Sequence, residues 1–266
     1  RLTADPYAME YNGRIYVYGT NDSQQYEKTP DADNNYSKIN TINVYSSADM
    51  VNWTDHGAIP VAGSKGAAKW ASNSWAPAAC HKTINGKEKF FLYFADNGSG
   101  IGVLEADSPT GPWKDPIGKQ LISRETPGCS GSEIGWLFDP AVLVDDDGTG
   151  YLYFGGIGDT TDKPEDFIKN PKCGRVVKLA DDMVSLAGDP VTIDAPYMFE
   201  DSGINKIGDK YYIKGRNFTQ YSKVTLNGKE LKTIYLGENV LGLLEDVDPN
   251  DADKMKVSQI ENKSGE

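Results

Sequence analysis

Cysteine, histidine and positive charge are all scarce in this chain. Its 266 residues include three cysteines (Cys80, Cys129, Cys173) and two histidines (His56, His81). Three widely spaced cysteines with no CxxC pair form neither a disulfide framework nor a zinc site, and at most one bridge is possible. Two histidines argue against a His-rich metal centre or a Ser-His-Asp triad. No metal ligand set and no cofactor is expected. Lysine and arginine number 27 against 39 aspartates and glutamates, a net charge of −12. That balance argues against duplex nucleic acid or an anionic membrane surface, both of which need clustered cations. No apolar run approaches the ~20 residues that span a bilayer. Arg1 to Pro6 hold no signal-peptide core. The acidic charge suits a secreted protein, whereas unpaired thiols suit a cytoplasmic one.

Apolar periodicity of 3.6 residues over three turns is also missing, and what is present points to strands. With 15 Tyr, 5 Trp, 28 Gly and 14 Pro, the composition fits short strands joined by tight turns. Runs such as Arg14–Tyr18, Thr41–Tyr45, Phe90–Phe94, Tyr151–Phe154 and Lys210–Ile213 are bounded by Gly, Asn or Asp and read as nearly all-β. The polar stretch from Gln24 to Lys38 reads as a long surface loop.

Three landmarks recur in order. A turn followed by an aromatic strand occurs at Asn12-Gly13, Asn85-Gly86, Asp147-Gly148 and Gly208-Asp209; Asn-Gly and Asp-Gly accept the positive φ of a hairpin turn. Ahead of each turn stand Asp5-Pro6, Ala76-Pro77, Asp139-Pro140 and Glu200-Asp201, spaced by 71, 63 and 61 residues. Behind each lies a strand running into an acidic turn: Val44–Asp49, Val103–Asp107, Val177–Asp181 and, more weakly, Leu243–Asp246. Units of this length with about four short strands are the signature of a β-propeller, in preference to a β-sandwich with similar hairpins. No Pro/Ser-rich linker divides the chain, so residues 1–266 read as a single propeller domain.

The first strand of each propeller blade lines the central channel, so equivalent positions converge there whatever their separation in sequence. Those positions hold Asp5, Ala76, Asp139 and Glu200. Carboxylates gathered in a partly dry funnel raise one another's pKa, which suits glycosidic bond cleavage by one protonated and one ionised acid. The plain alternative is that each Asp-Pro caps a turn. Asp145-Asp146-Asp147 lacks the ligand spacing of a calcium loop and reads as a solvated turn. Trp53 and Trp113 lie in outer turns and read as structural.

The stretches Ala4-Asp5-Pro6-Tyr7, Ser74-Trp75-Ala76-Pro77, Phe138-Asp139-Pro140-Ala141-Val142 with Asp145–Gly148, and Phe199–Ile204 together resemble glycoside hydrolase family 43. The resemblance covers about the first 215 residues. It implies a five-bladed β-propeller that hydrolyses β-xylosides or α-L-arabinofuranosides with inversion, acting on a plant cell-wall oligosaccharide or polysaccharide. By motif match it assigns Asp5 as general base, Asp139 as pKa modulator and Glu200 as general acid. Inversion calls for carboxyls roughly 6.5–9.5 Å apart, with a water between base and sugar. Trp75 is expected to face the pocket mouth as a stacking platform, or else to pack between blades; Phe138 is a further substrate-binding candidate. About four blades are recognisable, and the family's fifth, with its axial histidine and sugar-binding arginine, has no match here. The family's cation is accordingly not carried over. A carbohydrate-binding propeller without turnover is the alternative function. A sialidase-like reading prompted by Ser47-x-Asp49-x-x-x-Trp53 lacks the arginine cluster that such enzymes need.

Overall fold

The computed structural model describes residues 1–28, 35–161, 163–205, 212–245 and 247–258. They fall into two compact units, Arg1–Ile204 and Asn205–Glu266. In the first unit three antiparallel sheets follow one another along the chain. The first contains β1 (Ala4–Tyr11), β2 (Arg14–Thr20), β3 (Thr41–Ser47) and β4 (Thr54–Pro60) in that order. The second contains β5 (Trp75–Ile84), β6 (Lys87–Ala95) and β7 (Ile101–Ala106), with isolated antiparallel bridges from Ile101 to Ile122 and from Glu105 to Lys114 beyond β7. The third contains β8 (Ala141–Val144), β9 (Gly150–Phe154), β10 (Gly174–Lys178) and β11 (Val191–Ile193). The innermost strands meet, β1 against β5 and β5 against β8. These are successive blades of the expected all-β propeller.

Local sequence explains the hairpins. Asn12 and Gly13 have φ of 51° and 70°, and Asn85 and Gly86 have φ of 51° and 75°. Two consecutive positive φ values twist a two-residue turn to match its strands. Gly148 alone is left-handed in the third hairpin. The fourth expected hairpin, Gly208-Asp209, lies outside the described residues.

Strand β6 shows why a continuous apolar run is needed between blades. Phe90, Leu92 and Phe94 pack with Tyr18, Ile42 and Val44 of the first blade. Phe91 and Tyr93 pack with Val142, Leu152 and Phe154 of the third. Side chains alternate across a strand, so a strand buried on both faces must be apolar at every position. Cys80, Cys129 and Cys173 are unpaired and buried in the blade contact. Burial pushes the Cys129 thiol up to about 11, which keeps it protonated and unreactive.

The Gln24–Lys38 stretch departs from the loop expectation. Ser23–Lys28 forms a short helix, α1, and Gln25 is 1% exposed. Gln24 Oε1 accepts from the backbone N–H groups of Asn40 (2.9 Å) and Thr41 (3.1 Å), and Gln25 Oε1 accepts from Lys38 N–H at 2.9 Å. The two amides satisfy partly buried backbone donors of an irregular segment, a use of glutamine that composition does not reveal. Residues 29–34 of that stretch lie outside the described residues.

The second unit carries two three-stranded sheets. One has the order β12 (Tyr212–Lys214), β16 (Val240–Leu243), β15 (Thr233–Gly237); the other has β14 (Lys229–Leu231), β13 (Lys223–Leu226), β17 (Met255–Ser258). Strand β16 runs into the weak fourth copy of the third landmark, whose Asp246 lies outside the described residues, and pairs with β12 as β3 does with β2. The strand beyond it, β15, precedes it in the chain, unlike β4 and β11. Asn227-Gly228, with φ of 52° and 82°, closes the β13–β14 hairpin.

Candidate active site

Asp5, Asp139 and Glu200 line one funnel of about 690 Å³ in the first unit, together with Trp75 and Phe138. All five residues singled out by sequence are therefore brought together. The backbone that delivers them is unusual. Asp5 (φ 49°), Ala76 (φ 36°) and Asp139 (φ 49°) each adopt a left-handed conformation immediately before a proline, a region that residues with a Cβ rarely enter. At Asp5 and Ala76 the strand register slips, between Ala4 and Tyr7 and between Trp75 and Ala78. Bulges of this kind re-aim a side chain at the inner end of a strand.

Glu200 does not follow that pattern. The left-handed residue of the fourth repeat is Asp201 (φ 62°), so by backbone conformation Glu200 corresponds to Trp75 and Phe138, one residue ahead of the axial position. It enters the funnel from the slot that presents a ring in the second and third blades and Ala4 in the first.

Each wall residue has a local cause. Trp75 donates its indole N–H to the Tyr36 carbonyl at 3.1 Å, and the two rings meet edge-on with centroids 5.9 Å apart. Phe138 rests where Gly156 has no side chain: a Cβ there would lie 2.3 Å from the Phe138 ring. Trp136 packs edge-on against Phe138 at 5.0 Å and closes the same wall. Sequence reasoning missed Trp136, Tyr36, Thr20 and Asp22 in the lining, because none of them lies on a repeated landmark.

The electrostatics is that of crowded carboxyls. Asp139 is pushed up from an ordinary 3.8 to about 7, chiefly by burial; the Asp201 N–H (3.0 Å from Oδ2) opposes this, and the charges of Asp5, Glu200 and Asp201 add to it. Glu200 is raised by partial burial against the wall, then by Asp201 and Asp5. Asp22 is raised by burial and then by Asp5. Burial is the largest cause at both Asp139 and Glu200, and the charges of these two carboxyls also disfavour each other.

Two ties fix the carboxylates across blades. Thr20 Oγ1 donates to Asp5 Oδ2 at 2.6 Å and accepts from the Ala76 N–H at 2.8 Å. Tyr7 Oη donates to the Val142 carbonyl at 2.5 Å and accepts from its N–H at 3.2 Å. Burial pushes the Tyr7 phenol up to about 12, so the proton it donates is retained. Tyr7 lies two residues beyond Asp5 and Val142 three beyond Asp139, so this tie joins the two strands that carry the acids. Tyr7→Phe leaves both Val142 backbone groups without this partner and should lower unfolding stability by ~1–3 kcal/mol. Chemical denaturation read by fluorescence checks it, and an unchanged midpoint would contradict the assignment.

The residues present do not fit the cation of the resembled family. His56 Nε2 lies 2.7 Å from Ser46 Oγ, and its ring stacks on Tyr16. His81 Nδ1 lies 2.6 Å from Glu88 Oε1. Neither lines the funnel. Among the described residues no group of three His, Cys, Asp or Glu is placed to hold a metal ion. The turn at Asp49 is self-contained: its carboxylate accepts from Ser47 Oγ and from the N–H groups of Val51 and Asn52, which accounts for the Ser47-x-Asp49 pattern without a ligand.

Residues 1–242 match the family model described as glycosyl hydrolases family 43. An arabinoxylan arabinofuranohydrolase of Paenibacillus polymyxa is 58% identical over 219 residues, covering 80% of this chain and 34% of that protein. An arabinoxylan arabinofuranohydrolase of Bacillus subtilis (strain 168) is 57% identical over 219 residues, covering 79% of this chain and 42% of its own length. The crystal structure of a family 43 arabinoxylan arabinofuranohydrolase from Bacillus subtilis, in complex with cellotetraose, superposes with a TM-score of 0.75 at 47% identity, covering 97% of this chain and 52% of that one. The chain thus spans between a third and a half of the length of the curated relatives it matches.

Proposed function

The chain belongs to glycosyl hydrolases family 43, and from that premise we propose that its funnel removes α-L-arabinofuranosyl groups from arabinoxylan or related xylo-oligosaccharides with inversion. The observation that carries this reading is the convergence of Asp5, Asp139 and Glu200 beside Trp75 and Phe138 in one cavity, in a chain so similar to arabinoxylan arabinofuranohydrolases. The single catalytic propeller over residues 1–266 is part of the proposal, with its working groups in Arg1–Ile204.

In this reading Glu200 gives its proton to the departing glycosidic oxygen as the anomeric C–O bond breaks. Water attacks that carbon from the opposite face and loses a proton to Asp5. One water is consumed, and the two acids end with their protonation exchanged. Asp139 orients the substrate and sets the charge of the site, while Trp75 and Phe138 supply flat apolar faces for the ring. The test is the first-formed sugar: proton NMR during hydrolysis of 4-nitrophenyl α-L-arabinofuranoside should show β-L-arabinofuranose before mutarotation. Initial release of the α-anomer would overturn inversion.

One second reading is a carbohydrate-binding propeller without turnover, a role that the ring faces of Trp75, Trp136 and Phe138 in the funnel would serve equally well. Calorimetric binding of xylo-oligosaccharides, with neither aryl arabinofuranoside nor aryl xyloside cleaved, would support it.

A further inference from the structure

We propose that Thr20 is a positioning residue for the water-activating carboxylate, fixing which oxygen of Asp5 faces the water; this rests on the reading of Asp5 as general base. Thr20 ends β2 and is 2% exposed. A hydroxyl has one proton to give and lone pairs to receive. The Ala76 N–H can only donate, so it occupies a lone pair of Thr20 Oγ1 at 2.8 Å. The hydroxyl proton is then committed to Asp5 Oδ2, 2.6 Å away. A backbone donor in the second blade thereby decides the direction of a side-chain hydrogen bond in the first.

Both partners reach Thr20 through costly backbone. Asp5 and Ala76 have φ of 49° and 36°, costly conformations that persist where the surroundings impose them. In the blade order they are equivalent residues, and both converge on this one hydroxyl. The β-branched threonine has few rotamers, so the bond is held in one geometry. Among the described residues Thr20 makes the only hydrogen bond to the Asp5 carboxylate, to Oδ2, and Asp5 lines the funnel. An untethered carboxylate would rotate, and misplacing a reacting group by about 1 Å can cost on the order of 10²-fold in rate.

The test compares Thr20→Val, which keeps the shape and removes the hydroxyl, with Thr20→Ser, which keeps the hydroxyl. On 4-nitrophenyl α-L-arabinofuranoside, Thr20→Val should lower kcat by ~10–100-fold with little change in KM, because the ring faces of Trp75 and Phe138 are unchanged and valine keeps the shape of the wall. Thr20→Ser should recover most of that loss. Circular dichroism and a thermal midpoint establish that equal amounts of folded protein are compared. Should Thr20→Val leave Ala76 too poorly satisfied to fold, Thr20→Cys, a weak donor of similar size, replaces it and should lower kcat in the same direction. A folded Thr20→Val or Thr20→Cys with wild-type kcat would overturn the proposal, as would a serine variant as slow as the valine one. Asp5→Asn is run alongside. If it stays active, the base assignment itself falls; if it is inactive while Thr20→Val is not, only the role of Thr20 falls.

Discussion

Glu200→Ala is expected to lower kcat/KM on arabinoxylan by ~10²–10⁴-fold, the usual worth of a positioned general acid. The loss should be much smaller on 4-nitrophenyl α-L-arabinofuranoside, since nitrophenolate departs without being protonated whereas a xylan hydroxyl does not. Glu200 can hold a proton above the ordinary carboxyl range because partial burial, then Asp201 and Asp5, disfavour its charge. The alkaline limb of the wild-type profile on arabinoxylan should therefore shift in the variant, since the proton donor is gone and Asp139 is the raised carboxyl that remains. Equal losses on both substrates would indicate damaged binding rather than a missing acid. Undiminished activity on arabinoxylan would remove Glu200 from the mechanism.

Asp139→Asn should act on catalysis and on stability in opposite directions. Its carboxyl, held at about 7 by burial and its acidic neighbours against 3.8 for an ordinary aspartate, is bound more tightly to its proton in the folded chain than in the unfolded one. Below about pH 4 both states carry the proton and folding loses nothing. As pH rises from there to about 7, the unfolded chain ionises first and stability falls. Above about 7 the folded protein carries a destabilising charge worth a few kcal/mol. Asparagine cannot ionise, yet its amide oxygen can still accept from the Asp201 N–H. The variant should melt higher than wild type at pH 8 and at nearly the same temperature at pH 4, while activity on arabinoxylan drops by at least about tenfold, as expected when a group that tunes an acid pair is lost. A lower melting temperature at pH 8 would show that Asp139 is held ionised and paired instead.

The two predictions share one physical cause. Asp139 and Glu200 stand in a funnel walled by Trp75, Trp136 and Phe138, where burial and neighbouring negative charge disfavour the ionised form of both. Substrate displaces water from the same funnel.

What the residue order determined by itself was everything governed by near neighbours. Asn12-Gly13 and Asn85-Gly86 turn because those residues accept positive φ, and the run Phe90–Phe94 reads as a strand, whose cover on both faces shows only in the packed blades. Repetition extended that reach: landmarks recurring in one order placed Asp5 and Asp139 in equivalent slots without any knowledge of their distance.

Tertiary structure alone decided how those acids are held. The Thr20 hydroxyl meets the Ala76 N–H 56 residues away, and the Tyr7 phenol meets Val142 at a separation of 135. Nothing in either residue's own neighbourhood marks it. Glu200 likewise sits one residue ahead of the axial position, because backbone conformation, not letter alignment, defines the slot. A hydrogen bond needs two partners within about 3 Å, and only the packed blades bring strands so far apart in the chain to that distance.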